Sequence, residues 1–401
     1  MSNEIIREEN VNVKINLNDA RFESWDDEDK LNLKQPLLRG IYSYGFEEPS
    51  PIQQSAIIPL INRKDVIAQA QSGTGKTGAF VIGSLQLLDE KKKETQTLIL
   101  AHTRELARQI FAVINNIGSL MDITTQLLIG GTSTELDREK LEMNIPHIVV
   151  GCPGRVHDMI RRKYLKSVNI RLMILDEADE LLSHGFKEQI YKIFQYMNNN
   201  IQVGLFSATM PVELDNLTSK FLRNPVKILI KKEMLTLQGI SQFYIALDND
   251  EGKYITLKDL FGTLSISQAI IYCNSIRRVD DLYDAMKHDE FPVERIHSGM
   301  EESERNSMYE KFKSGSCRVL LSTDLLARGI DVQQVSIVIN FDIPKNVHTY
   351  LHRIGRSGRW GRKGVGINFV TRRDFQKIKE YEQFYSTEIK ELPENYKDYF
   401  N

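Results

Sequence analysis

Two short stretches carry residue types that could handle a nucleotide. "AQSGTGKT" (70–77) lies between the apolar run "DVIAQ" and the helical "GAFVIGSLQLL". Glycines there let backbone N–H groups wrap phosphate oxygens, and the following helix N-terminus adds its dipole. Lys76 would reach the outer phosphates and Thr77 would hold Mg²⁺, with Ser72, Gly73, Thr74, Gly75 and Gly78 completing the cradle. The strict pattern begins with Gly where this chain has Ala70, so a plain Gly-rich turn is the alternative; the strand–loop–helix context disfavours it. "LDEAD" (175–179) ends another apolar run. Two carboxylates at the tip of a buried strand are costly unless something compensates them. A divalent ion on Asp176, with Glu177 positioning and deprotonating an attacking water, explains the pair. Together the two stretches point to nucleotide hydrolysis.

A third stretch, "HRIGRSGRWGRKG" (352–364), repeats Arg353, Arg356, Arg359 and Arg362 every three residues, with Gly355, Gly358 and Gly361 between them. Those glycines disfavour a long helix. A short helix fraying into a loop would fan out guanidinium groups, which suit bidentate phosphate contact. A solvated basic tail is the alternative from this stretch alone.

These residues need elements to hold them. The chain has 401 residues, 41% hydrophobic and 26% charged, with a formal net charge of −2. That length suggests more than one core. Near-neutral charge argues against a permanent nucleic-acid coat but allows local patches. Cys152, Cys273 and Cys317 show no pairing or metal-type spacing, as in a reducing compartment. No apolar run reaches membrane-spanning length.

Residues 1–34 read as a polar, flexible N-terminal segment. Buried-strand runs follow at 65–70, 97–101, 147–151, 171–176 and 202–208, with amphipathic stretches such as "RELARQIFAVINNIGSL" between them. Four more runs, at 268–273, 318–323, 335–340 and 364–370, restart the pattern. The alternation predicts two tandem α/β domains with mainly parallel sheets, over 35–228 and 242–401, joined by a short flexible linker at 229–241. In both halves the unusual residues cluster just after strands, where such sheets bind ligands.

The literal "DEAD" with "AQSGTGKT", then "SAT" (207–209), "ARGID" (327–331) and "HRIGRSGR" (352–359), resembles the DEAD-box RNA helicases of superfamily two. The resemblance covers essentially everything after residue 30. It comes nearest to the translation initiation factor four-A branch, with its exon-junction and ribosome-biogenesis relatives. It implies two RecA-like domains closing around ATP. "YGFEEPSPIQ" (44–53) looks like that family's Q motif, implying that Gln53 reads the adenine edge and selects ATP over GTP, with Phe46 and Glu48 among the nucleotide-binding residues. Arg356 and Arg359 match its arginine fingers, Asp331 its ribose contact, and Ser207 and Thr209 its coupling segment.

RNA contacts are implied at Thr103, Arg104, Gly131, Arg155, Asn274, Thr323 and Arg353. These are hydroxyls, arginines and loop residues that suit sugar–phosphate contacts without sequence information. ATP and Mg²⁺ are the implied cofactors, RNA the partner, and a scaffold protein resembling the initiation-factor partners a further one. A cytoplasmic monomer is expected, with the nucleus as the alternative location. Four residues depart from the family's pattern: His102, Cys152, Ser298 and Trp360. Coupled RNA unwinding in translation initiation is the leading expectation. The rivals are an ATP-gated RNA clamp in mRNA or ribosomal RNA processing complexes, and a DNA-directed helicase.

Overall fold

The computed structural model describes residues 22–70, 73–182, 185–210, 221–228, 240–263, 268–324, 335–357 and 364–393. Fourteen strands among them form two seven-stranded sheets. The first sheet comprises β1 (Val66–Gln69), β2 (Thr97–Leu100), β3 (Thr125–Leu128), β4 (Ile148–Gly151), β5 (Leu172–Asp176), β6 (Gln202–Ser207) and β7 (Val226–Ile228). The second comprises β8 (Ile240–Leu247), β9 (Ala269–Tyr272), β10 (Val293–Ile296), β11 (Val319–Ser322), β12 (Ile337–Asn340), β13 (Gly364–Thr371) and β14 (Lys390–Glu391). The orders are β3-β4-β2-β5-β6-β1-β7 and β10-β11-β9-β12-β13-β8-β14. Renumbered from its own first strand, the second order repeats the first. Every paired register is parallel. One topology is therefore used twice, as the two tandem parallel-sheet domains predict.

The apolar runs are continuous because helices cover both faces of each sheet. In β5, Leu172 and Ile174 join one core cluster while Met173 and Leu175 join the other. β9 divides likewise, with Ile270 and Tyr272 on one face and Ala269 and Ile271 on the other. The amphipathic run after β2 forms the helix Arg104–Ile117, which buries Leu106, Ile110, Val113 and Ile117 at helical spacing.

Two boundaries differ from expectation. Residues 22–34 are packed rather than flexible: Phe22, Trp25, Leu31 and Leu33 are buried in the first core. Trp25 stacks on Phe46 with ring centroids 6.3 Å apart, so the sparse apolar residues of this acidic stretch find a site on the folded half. Residues 1–21 lie outside the described residues. The linker expected over 229–241 falls outside them as far as 239, and its last two residues, Ile240 and Ser241, belong to β8.

Candidate functional site between the two halves

The phosphate loop follows β1 and opens the helix Lys76–Leu87. Gly73 and Gly75 both have positive φ, +81° and +101°, which turns successive backbone units into the concave form an anion fits. Gly78 is required by its neighbours: a Cβ there would lie 2.5 Å from Gln53 Nε2 and 2.8 Å from the Phe46 ring. Gln53 is 3% exposed, accepts from Ser50 N at 2.7 Å and donates to the Gly75 carbonyl at 3.3 Å. The Q-motif stretch thus props the loop, with Phe46 half-buried and Glu48 exposed beside it. Lys76 is buried, donates from Nζ to the Ala70 carbonyl at 2.8 Å and faces Glu177 at 3.8 Å. Thr77 lies in the first turn of the helix. Ser72 is outside the described residues.

β5 delivers the carboxylates. Burial raises Asp176 to about 7, neighbouring Glu177 pushes in the same direction, and Lys76 opposes them. Burial also works against the Glu177 charge, but Lys76, His352 and Arg356 outweigh it and hold Glu177 below its usual range. The Glu177 N–H donates to Asp176 Oδ1 at 3.0 Å. Glu177 itself has φ +49°, a conformation costly for a side chain with a Cβ, as often found where a reacting group must be aimed. Its Oε2 is buried without a hydrogen-bond partner.

The second half completes this site. His352, on the helix Val347–Ile354, places Nε2 3.0 Å from Asp179 Oδ2. The same Asp179 oxygen accepts from Thr209 Oγ1 at 2.6 Å. Ser207 Oγ donates to the Thr209 carbonyl at 2.7 Å and accepts from Thr209 N at 3.2 Å. Arg356 is buried, donates to the His352 carbonyl at 3.3 Å and bears electrostatically on Glu177. Asp179 and His352 were not among the expected site residues, although both sat inside stretches singled out for neighbouring letters. Arg359 and Asp331 lie outside the described residues, as do the whole of "ARGID" and Trp360.

The expected RNA residues divide into two groups. Thr103 caps the helix Arg104–Ile117, accepting from Leu106 N at 3.2 Å, and Arg104 borders Gly130 and Gly131. Thr323 is half-buried after β11. Arg155 is held inward, donating to Thr132 Oγ1 at 2.9 Å, to the Thr132 carbonyl at 2.7 Å and to Asp137. Arg353 corrects the expectation. It is 0% exposed and donates to Asp324, Asn340, the Asp342 carbonyl and Asn274 Oδ1. No N–H of it is turned outward to a phosphate; it ties the loops after β9, β11 and β12 together. Asn274 is likewise engaged, donating to the Ile343 carbonyl at 2.8 Å while its oxygen accepts from Arg353.

Of the departures, Cys152 is the N-cap of the helix Pro153–Arg161 and makes no side-chain cap bond. Burial pushes its thiol up to about 12, so it remains protonated. Ser298 is exposed beside His297, whose Nε2 lies 3.0 Å from Asp280. Among the described residues no helix is long and apolar enough to cross a membrane.

Comparison with known proteins agrees with this geometry. Residues 50–217 match the DEAD/DEAH box helicase family and residues 252–361 the helicase conserved C-terminal domain. The chain is 56% identical to the ATP-dependent RNA helicase eIF4A of Pyricularia oryzae, over 94% of this chain and 95% of that one. Among solved structures, S. cerevisiae Dbp5 bound to RNA and ADP BeF3 is 33% identical, with a TM-score of 0.85 over 91% of this chain and 94% of the other. Mss116p bound to single-stranded RNA and AMP-PNP is 26% identical, with a TM-score of 0.84 over 94% and 81%. The duplicated sheets, the shared site and these matches together establish that the chain belongs to the DEAD-box helicases.

Proposed function

We propose that this protein is an ATP-dependent RNA helicase that couples ATP hydrolysis to local separation and remodelling of RNA duplexes in translation initiation. The observation that carries this reading is the His352–Asp179–Thr209 chain, which makes the carboxylate site of one half depend on a side chain of the other.

The roles follow from the placements. The backbone at Gly73 and Gly75 cradles phosphate, and Lys76 exchanges the Ala70 carbonyl for phosphate oxygen. Phe46 and Gln53 border the cradle at Gly78, and Gln53 would read the adenine edge. Glu177, kept ionised and aimed by its backbone, positions a water and takes its proton. Arg356, with Arg359 as its expected companion, stabilises charge that develops on the outer phosphate. The orphaned Glu177 oxygen and the buried, raised Asp176 fit a divalent cation. Thr77 and Asp176 would hold Mg²⁺, which supplies charge neutralisation on the phosphate oxygens.

Closure joins ATP chemistry to RNA because both halves carry loops at strand ends, and two ligands favouring one arrangement reinforce each other. RNA is met through its backbone by Thr103, Arg104, Gly131 and Thr323, while Arg155, Asn274 and Arg353 set their loops from inside. The eIF4A likeness supports work in translation, hence in the cytoplasm; a monomer working with a scaffold protein is part of the same proposal. An ATP-gated clamp is not favoured, since Lys76, Glu177 and Arg356, the residues that turnover would need, are all present around one carboxylate.

The test is steady-state phosphate release from ATP alone, with single-stranded RNA and with matched DNA, alongside Glu177→Gln. Stimulation by RNA that the variant abolishes supports the proposal. Hydrolysis indifferent to RNA, or equal with DNA, contradicts it.

A further inference from the structure

The seam between the halves carries a second set of contacts away from the carboxylates. Arg104, Glu105 and Arg108 belong to the helix Arg104–Ile117, with the two arginines four residues apart on one face. Opposite them the helix Glu302–Lys313 presents Glu302, Arg305 and Asn306. One Glu302 oxygen accepts from Arg104 Nη1 at 3.0 Å and the other accepts from Arg108 Nη2. Arg108 Nη1 also donates to Asn306 Oδ1 at 3.3 Å, and Arg305 Nη2 lies 2.8 Å from Glu105 Oε1. Charge alternates along both faces in complementary order.

The Glu302 carboxylate is also wedged against the first half's loop. Gly131 has φ +88°, and a Cβ there would collide with Glu302 Oε2 and the Arg104 guanidinium. One second-half carboxylate therefore occupies a place built from Arg104, Arg108 and the Gly131 turn. Two guanidinium groups converging on one anion suit a phosphate as well as they suit a carboxylate. Arg104 and Gly131 are the residues proposed above to meet RNA, and the present inference rests on that proposal.

We infer that Glu302 is a built-in phosphate substitute, which draws the halves together through Arg104 and Arg108 and competes with the RNA backbone for them. RNA entering this place displaces Glu302 and takes over the task of holding the seam, while Arg305–Glu105 remains. The protein accordingly closes on ATP with less help from RNA than it would without Glu302, and holds RNA less tightly.

The test compares the full chain with Glu302→Gln, which keeps the side-chain size and the helix, and with Arg108→Gln. Three quantities are read: affinity for a single-stranded RNA with a nonhydrolysable ATP analogue, its salt dependence, and energy transfer between dyes on the two halves with analogue but no RNA. Glu302→Gln should bind RNA about three- to fivefold tighter, the scale of a half-exposed ion pair. Its slope of log affinity against log salt should steepen by about 0.7 for each additional phosphate that the freed arginines neutralise. Its RNA-free energy transfer should fall. Arg108→Gln should lower energy transfer without tightening RNA. Unchanged or weaker RNA binding by Glu302→Gln, or unchanged energy transfer in both variants, overturns the inference. Native protein that does not bind RNA with the analogue overturns the helicase proposal instead.

Discussion

His352 offers a sharp perturbation, because its ring bonds directly to a carboxylate of the opposite half. Its side chain is 0% exposed and its Nε2 lies 3.0 Å from an Asp179 oxygen that also accepts from Thr209. In His352→Ala that oxygen loses this donor and remains buried. A hydrogen bond to a charged partner contributes about 1.5–3 kcal/mol. The loss falls only on the joined arrangement, because separated halves cannot make the bond. At about 1.4 kcal/mol per tenfold, joining should become about ten- to a hundredfold less favourable. The assay is ATP hydrolysis across an RNA titration, with nucleotide binding measured separately without RNA. The RNA concentration for half-maximal stimulation should rise by that factor while RNA-free nucleotide binding stays near the native value. His352→Gln, which retains an N–H donor, should recover part of the loss. A shift below about twofold in a folded His352→Ala protein refutes the reasoning.

Other expectations are independent of that bond. Trp25→Ala removes a buried ring that stacks on Phe46; it should cost about 3–5 kcal/mol in denaturant unfolding of the first half and weaken ATP binding. Gly78→Ala drives a methyl into Gln53 and Phe46; ATP affinity should fall at least tenfold on the scale of about 1.4 kcal/mol, seen by calorimetric titration. Arg353→Met takes the donor away from the buried Asn340 side chain and Asp342 carbonyl and from half-buried Asn274, and ends the pair with exposed Asp324; it should destabilise the second half by about 1–3 kcal/mol for each buried acceptor left unpaired, and unaltered melting with weakened RNA binding would reinstate it as an RNA contact. Cys152→Thr supplies the missing helix cap; it should stabilise by about 0.5–1 kcal/mol in denaturant titration. The native Cys152 thiol, pushed up to about 12 by burial, should resist alkylation at pH 8 until the protein unfolds.

The strands legible in the sequence are those buried on both faces, such as Leu172–Asp176 and Ala269–Tyr272, whose apolar runs are unbroken. Those missed lie at or beside sheet edges. Thr125–Leu128 and Val293–Ile296 edge their sheets and leave two of their four residues half-buried, so a search for continuous apolar runs passes over them. Ile240–Leu247 lies next to the edge strand Lys390–Glu391 and mixes polar with apolar residues, which made its start read as linker. Phe22, Trp25, Leu31 and Leu33 were concealed among acidic residues because they pack individually and follow no period.

The phosphate loop and the carboxylates were readable because their chemistry depends on contiguous residues. Asp179 and His352 were not, since their meaning is a contact across 173 residues of sequence. Arg353 misled for the opposite reason: charge suggests a surface, whereas a guanidinium surrounded by acceptors can sit wholly inside.

The central claim is that the ATP site of the first half is completed by the second. Arg356→Ala tests it most directly, because the residue is supplied by the second half and bears on Glu177 of the first. Single-turnover hydrolysis of bound ATP with saturating RNA should slow by about a thousandfold or more, the scale of an arginine finger, while RNA-free ATP affinity is preserved. Hydrolysis within tenfold of native would contradict the claim and leave the chemistry to the first half alone.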